Sequence, residues 1–234
     1  MLVKITTQCQ MGCSHCMEDA KSVGEHMSLE TFKKALDFIE RVYSGQRIIL
    51  VSGGEPTDHP QIQQFLNELK DWNAVLLSNG LFWSDLKTRE MILASNVLIQ
   101  VYNDPKYYPL KVEPIDHPRV LFADKINLLS PIGRARNLSE IAGRTSPLCF
   151  NFRSFCKTLR DFQKAVMLLR TKGKICSPSI DVHGNVVTGE SRFCYKIGTV
   201  DSSFDELLQN TLNMSCNKCG LEDNLPAVYK NAIH

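Results

Sequence analysis

The sequence predicts an α/β protein, an open or partial (β/α) barrel over residues 1–170 followed by a small cap over residues 171–234. Three observations predict it. Short apolar strand patterns alternate with amphipathic helical patterns from Leu2 to Asn103, at a spacing that implies right-handed βαβ units and a parallel sheet. The loops richest in cysteine and glycine fall at the C-terminal ends of those strands, where sheets of this kind carry their chemistry. Beyond about residue 175 the pattern changes in kind, to a hairpin, a short helix and a C-x2-C pair.

Element by element, LVKIT (residues 2–6) alternates like a strand and leads directly to Cys9. In residues 27–43, Leu29, Phe32, Leu36, Ile39 and Tyr43 share one helical face, with Ser28 as the N-cap. Ile48 to Val51 reads as a buried strand ending at Gly53 and Gly54. In the next helix Pro60 suits the first turn and Ile62, Phe65, Leu66 and Leu69 face inward. AVLLSNG (residues 74–80) is a third strand, a helix follows behind Ser84, and NVLIQVYN (residues 96–103) is a fourth strand. Pro105, Pro109, Pro114 and Pro118 forbid a regular helix over 103–118. A strand-like pattern resumes at Arg119, and a basic amphipathic helix over 158–171 closes the first unit. In the cap, residues 176–187 read as a hairpin turning at His183 and Gly184, and Ser203 with Glu206 forms a capping box.

Composition narrows the class. The 234 residues are 43% hydrophobic, ordinary for a packed core, and no apolar run is long enough to span a bilayer. No signal peptide is read at the N-terminus, so a cytoplasmic location without a membrane partner is expected. Nine cysteines is a high and odd count, which disfavours a disulfide framework and favours metal binding or catalysis. The formal charge of +2 hides an asymmetry, because residues 134–174 hold ten Lys or Arg against only Glu140 and Asp161. A solvated helix face, an anionic substrate or an acidic electron-donor protein would each account for it.

CQMGCSHC, residues 9–16, places three thiols on the loop after the first strand. Three sulfurs leave a tetrahedral zinc one ligand short, but they suit an iron-sulfur cluster in which one iron stays open. A zinc knuckle completed by His15 or His26 is the alternative. One βα unit later comes SGGEP, residues 52–56, whose glycines let main chain approach a ligand and whose carboxylate is able to accept from an ammonium.

Together these motifs resemble the radical S-adenosylmethionine (SAM) superfamily, whose members bind the methionyl end of SAM to the open iron of a 4Fe-4S cluster. The resemblance implies a barrel of the radical SAM type, with Cys9, Cys13 and Cys16 holding the SAM-binding cluster. It carries Gly53, Gly54 and Glu55 over to the SAM amine, with Pro56 stiffening the loop. It places His15 near the adenine, Asn79 and Gly80 after the third strand, Gln100 toward the ribose, and Arg134 in SPIGRAR against a carboxylate or a substrate anion. For Asn79 and Gly80 an ordinary turn is an equally good account.

Cys176, Gly189 and Cys194 fit the opening of the SPASM and shorter twitch extensions of these enzymes, and Cys216 and Cys219 complete four thiolates. The resemblance therefore implies a twitch-like domain over 171–234 with one auxiliary 4Fe-4S cluster, as in 2-deoxy-scyllo-inosamine dehydrogenases. A structural zinc on the same four residues is the alternative. Cys149 and Cys156 read as buried thiols or as a hydrogen donor near the substrate.

The expected chemistry is reductive cleavage of SAM to a 5′-deoxyadenosyl radical and hydrogen abstraction from the substrate. The expected outcome is oxidation of a small polar or anionic metabolite, with a flavodoxin- or ferredoxin-type electron donor and no nucleic-acid partner. Modification of a ribosomal peptide is the alternative within the same chemistry. A zinc-stabilised nucleic-acid-binding module is the alternative from another class.

Overall fold

The computed structural model describes residues 1–43, 45–126, 129–140 and 178–213. Five strands, β1 (Leu2–Thr6), β2 (Ile48–Gly53), β3 (Asn73–Ser78), β4 (Leu98–Tyr102) and β5 (Val120–Ala123), pair in parallel in that order. Helices α1 (Leu29–Val42), α2 (Ile62–Glu68) and α3 (Leu86–Ala94) fill the first three crossovers. On the free edge of β1, β6 (Ser179–Ile180) pairs in parallel, and β7 (Asn185–Val187) and β8 (Lys196–Thr199) continue antiparallel. The sheet thus runs β5-β4-β3-β2-β1-β6-β7-β8, and α4 (Phe204–Asn213) follows it. The expected domain boundary at residue 170, the basic helix over 158–171, and Cys149, Cys156, Cys176, Cys216 and Cys219 lie outside the described residues.

Strand alternation divides the parallel sheet into two faces. Val3, Ile5, Ile49, Val51, Ala74, Leu76, Ile99 and Val101 are each 4% exposed or less, and they pack in one core with Phe32 and Ile39 of α1 and Phe65 of α2. The alternate residues Leu2, Lys4, Leu50, Ser52, Leu77, Gln100 and Tyr102 line a cavity instead. The outer face supplies stability, because each large apolar side chain buried there contributes about 1.5–3 kcal/mol. The inner face is thereby left to carry polar groups.

Local signals act largely as the sequence predicts. Ser28 caps α1 by accepting from Thr31 N at 3.0 Å, and Ser203 accepts from Glu206 N at 3.2 Å. The hairpin turns through His183 and Gly184, pinned by Asp181 Oδ1, which accepts from His183 N and Asn185 N, each at 2.9 Å. Two starts differ. Asp85, not Ser84, caps α3, because Ser84 Oγ donates to Leu81 O and closes a separate 3-10 turn over Leu81–Ser84. Pro60 stands ahead of α2 rather than in its first turn, because buried His59 supplies the stop: its Nδ1 accepts from Gln61 N and its Nε2–H donates to Met27 O, each at 3.0 Å. Among the described residues no helix is long and apolar enough to cross a membrane.

Candidate active site

Each expected loop leaves the C-terminal end of its strand. After β1 the chain enters the cysteine loop, which is stitched to residues 21–25 by Cys9 N donating to Lys21 O at 2.7 Å and Thr7 N to Glu25 O at 2.9 Å. The loop after β2 continues the parallel pairing past the strand end. Gly54 N donates to Thr6 O and Glu55 N to Gln8 O, both at 2.7 Å. Glycine is required here by the approach of this neighbouring main chain: a Cβ on Gly53 would stand 2.2 Å from Thr6 O, and one on Gly54 2.1 Å from Gln8 O. The two motifs are therefore built as one unit, with SGGEP bracing the residues that deliver Cys9.

Cys9, Cys13, Cys16, His15, Gly53, Gly54, Asn79 and Gln100 all line one cavity of about 640 Å³. That volume lies within the roughly 300–1,000 Å³ of small-molecule sites. Asn79 reaches the thiols directly, with Nδ2 donating to Cys9 Sγ at 3.7 Å, while its Oδ1 accepts from Leu81 N at 2.9 Å. His15 packs against Tyr107 and Tyr108, at ring-centroid distances of 5.2 and 4.9 Å. Burial lowers its pKa to about 4, so the ring is neutral.

Three sequence-predicted residues sit elsewhere. Glu55 is 1% exposed and does not line the cavity. Its Oε1 accepts from Thr57 N, Thr57 Oγ1 and Ser78 Oγ at 3.2, 2.8 and 2.9 Å, and its Oε2 from Asn79 N at 2.7 Å. The carboxylate is thus spent on tying the SGGEP loop to the end of β3, which sets Asn79. Burial pushes its pKa up to about 7 against these four donors, which favour the ionised form. Pro56 is buried at the first position of a 3-10 turn over Pro56–Asp58.

Arg134 is the other departure, because its guanidinium is already committed. It donates to Cys13 O at 2.9 Å and Ala20 O at 2.7 Å, and pairs with Asp19 Oδ1 at 3.0 Å. Its backbone N–H donates to Cys16 O at 2.9 Å. Gly133 beside it has φ +60°, and a Cβ there would stand 2.5 Å from Met17 O. SPIGRAR is a clamp on the outside of the cysteine loop, not a wall of the cavity.

The donor set fits a 4Fe-4S cluster with one open iron. Three thiols line one cavity, and among the described residues no fourth cysteine joins them. Burial pushes Cys13 up to about 12, with the neighbouring Cys9 and Cys16 adding to the shift, and burial raises Cys9 likewise. Bound iron would offset that cost by taking the thiolates as ligands. Among the described residues no three His, Cys, Asp or Glu side chains are grouped to hold a single ion. His26, one of the two residues named for the alternative zinc knuckle, has its Nδ1 2.9 Å from Thr6 Oγ1. Of the four cysteines expected in the auxiliary site only Cys194 is described; its N–H donates to Ser191 O at 2.9 Å.

The cavity also holds residues that motif reading missed: Lys4, Glu18, Tyr102, Tyr108 and Glu190. A lysine alternating with apolar residues in LVKIT was the available signal for the first, since it marks an inner strand face that is polar.

No curated protein sequence matches the chain. Among solved structures it is similar in fold to BtrN in an open conformation, at 12% identity and TM-score 0.52, covering 96% of this chain and 89% of that one. It is similar also to SuiB of Streptococcus suis bound to the precursor peptide SuiA, at 10% identity and TM-score 0.50, covering 93% of this chain and 69% of that one. The fold is α/β, a partial β/α barrel of the radical SAM type. Residues 3–99, which span nearly all of β1, both motif loops and the start of β4, match the family model of the radical SAM superfamily.

Proposed function

We propose that the chain is a radical SAM enzyme that oxidises a small polar metabolite, with an anionic one included in the class the sequence predicts. The observation that carries this reading is that loops from three strands bring Cys9, Cys13, Cys16, Gly53, Gly54 and Asn79 to one cavity. A 4Fe-4S cluster held there by Cys9, Cys13 and Cys16, with SAM on its open iron, would supply one-electron reductive cleavage of SAM.

The chain's own part is placement and exclusion. Cys9, Cys13 and Cys16 are the ligands, Gly53 and Gly54 present bare main chain for the methionyl end, and Glu55 acts from behind as a positioning residue. The neutral ring of His15, flanked by Tyr107 and Tyr108, offers a flat surface for the adenine. Tyr108 and Leu77 make part of the wall apolar, which keeps water from a reactive carbon centre. In a dehydrogenation the substrate would give up one hydrogen atom, then one proton and one electron. An auxiliary cluster on Cys176, Cys194, Cys216 and Cys219, in a twitch-like domain over 171–234, would supply the acceptor for that electron. A flavodoxin- or ferredoxin-type protein is the proposed donor of the initiating electron, and the cytoplasm the proposed compartment.

The test is metal and product analysis after anaerobic reconstitution. About eight irons per chain, with 5′-deoxyadenosine formed on adding SAM and reductant, supports two clusters, and about four supports the first alone. Zinc without iron, and SAM left intact, overturns the reading.

A further inference from the structure

We propose that the Tyr108 hydroxyl donates a hydrogen bond to the cluster on the Cys13 side, and so raises the potential at which the cluster accepts its electron. The inference rests on the proposed radical reaction and adds a residue to its first, electron-accepting step.

The chain around Tyr108 is built to hold it. Pro105 and Pro109 bound a short stretch after β4 in which no regular helix is able to form. Asn103, 3% exposed, fastens both of its ends: Nδ2 donates to Asn79 O at 3.4 Å and to Leu110 O at 3.1 Å, and Oδ1 accepts from Val112 N at 3.1 Å. Asp104 O accepts from Tyr107 N and Tyr108 N, each at 2.9 Å, while its carboxylate accepts from Lys106 N and Ile126 N, also at 2.9 Å. Finally, Tyr107 O accepts from Ser14 N at 3.2 Å, inside the cysteine loop. The stretch is thus tied to Asn79, whose side chain reaches Cys9 Sγ, and to Ser14, which stands between Cys13 and Cys16.

The neighbouring tyrosines differ at their hydroxyls. Tyr107 donates its own to Glu140 Oε1 at 3.3 Å. Tyr108 lines the cavity with the three thiols, its ring 4.9 Å from that of His15, and its hydroxyl bonds to none of the described residues. Burial raises its pKa, and the charges of Cys13, Glu55, Cys9 and Cys16 raise it further, which keeps the group protonated and places it beside the thiols. Tyr102 lines the same cavity, but after burial the charge that bears on it is that of Glu190, away from the cysteine loop.

Donors already serve two of the three sulfurs. Cys9 Sγ accepts from Met11 N at 3.5 Å and Asn79 Nδ2 at 3.7 Å, and Cys16 Sγ accepts from Ala20 N at 3.4 Å. Cys13 is 7% exposed, and among the described residues its sulfur accepts from no other residue. Iron-bound sulfur offers acceptors only, and reduction adds one negative charge to it. An O–H donor therefore stabilises the reduced form more than the oxidised one and raises the potential.

The test is a redox titration of reconstituted wild-type and Tyr108→Phe protein without SAM. Reduced cluster is read by electron paramagnetic resonance, on the signal that Cys13→Ala abolishes. Phenylalanine keeps the ring against His15 and removes only the hydroxyl, so iron content should match wild type. At any fixed potential the ratio of reduced to oxidised cluster should be about tenfold lower in the variant, a fall of about 59 mV in midpoint for one electron. Electron-nuclear double resonance in light and heavy water should show an exchangeable proton coupled to the wild-type cluster that Tyr108→Phe lacks. An unmoved midpoint, an unchanged set of exchangeable couplings, or a variant that fails to load iron overturns the inference and leaves the proposed function standing. If wild-type protein assembles no cluster on these cysteines, both fall.

Discussion

Replacing Arg134 with alanine should loosen the cysteine loop without touching the cavity. The side chain is 26% exposed and Asp19 33%, so their ion pair is worth at most about 1 kcal/mol. The two bonds to Cys13 O and Ala20 O are donated by a charged group, which places them at about 1.5 kcal/mol each. The loss together is about 3 kcal/mol, or roughly a hundredfold in the opening equilibrium of the loop. Hydrogen exchange of the Ala20 amide, which donates to Cys16 Sγ at 3.4 Å, reads that opening in the metal-free protein. Exchange should quicken by one to two orders of magnitude, and Arg134→Lys, which lacks the planar fork, should recover only part. Unchanged exchange, combined with weakened SAM affinity of the iron-loaded variant, would refute the clamp and return Arg134 to the ligand-binding role that its motif implies.

Other perturbations probe other joints. Lys4→Met leaves Glu18 buried without its partner, and urea unfolding should show a loss of about 3 kcal/mol, of which Glu18→Gln in the same chain restores part. Gly54→Ala drives a Cβ into Gln8 O and should cost about 1–3 kcal/mol in the same assay, with Cys9 displaced and iron loading reduced. Glu55 sets a pH dependence: its folded pKa of about 7 lies above an unfolded value of about 4.3. The folded protein therefore binds the extra proton, and this group's contribution to stability is full below about pH 4 and falls as pH rises to about 7. Urea midpoints of the metal-free protein across that range should decline relative to Glu55→Gln; a flat difference contradicts the assignment.

How much of this was legible in the sequence depends on the range of the interaction concerned. The Ser28 and Ser203 caps, the turn at Gly184 and the inward stripe of α1 rest on contacts within a few residues, and the structure shows each. The motif loops were also legible, because βα periodicity alone places them at strand ends. What chain-local reading missed is set by partners far apart. Glu55 was read for the SAM amine from its motif alone, whereas its bonds to Ser78 and Asn79 come from the end of another strand. Arg134 was read for an anion from its motif alone, whereas its bonds to Cys13 O and Ala20 O reach a loop more than a hundred residues earlier. Glu190 comes near the Lys4–Glu18 pair because β6 docks beside β1, a pairing that no local pattern announces.

The central claim is that three cysteines hold a cluster with one iron left open and that SAM occupies it. Electron paramagnetic resonance of the reduced, reconstituted protein tests this most directly, because a new ligand on that iron must change the cluster's signal. The account predicts a changed spectrum on adding SAM, and loss of the SAM-responsive signal in Cys13→Ala. A spectrum that SAM leaves unaltered, or one that survives intact in Cys13→Ala, would contradict it.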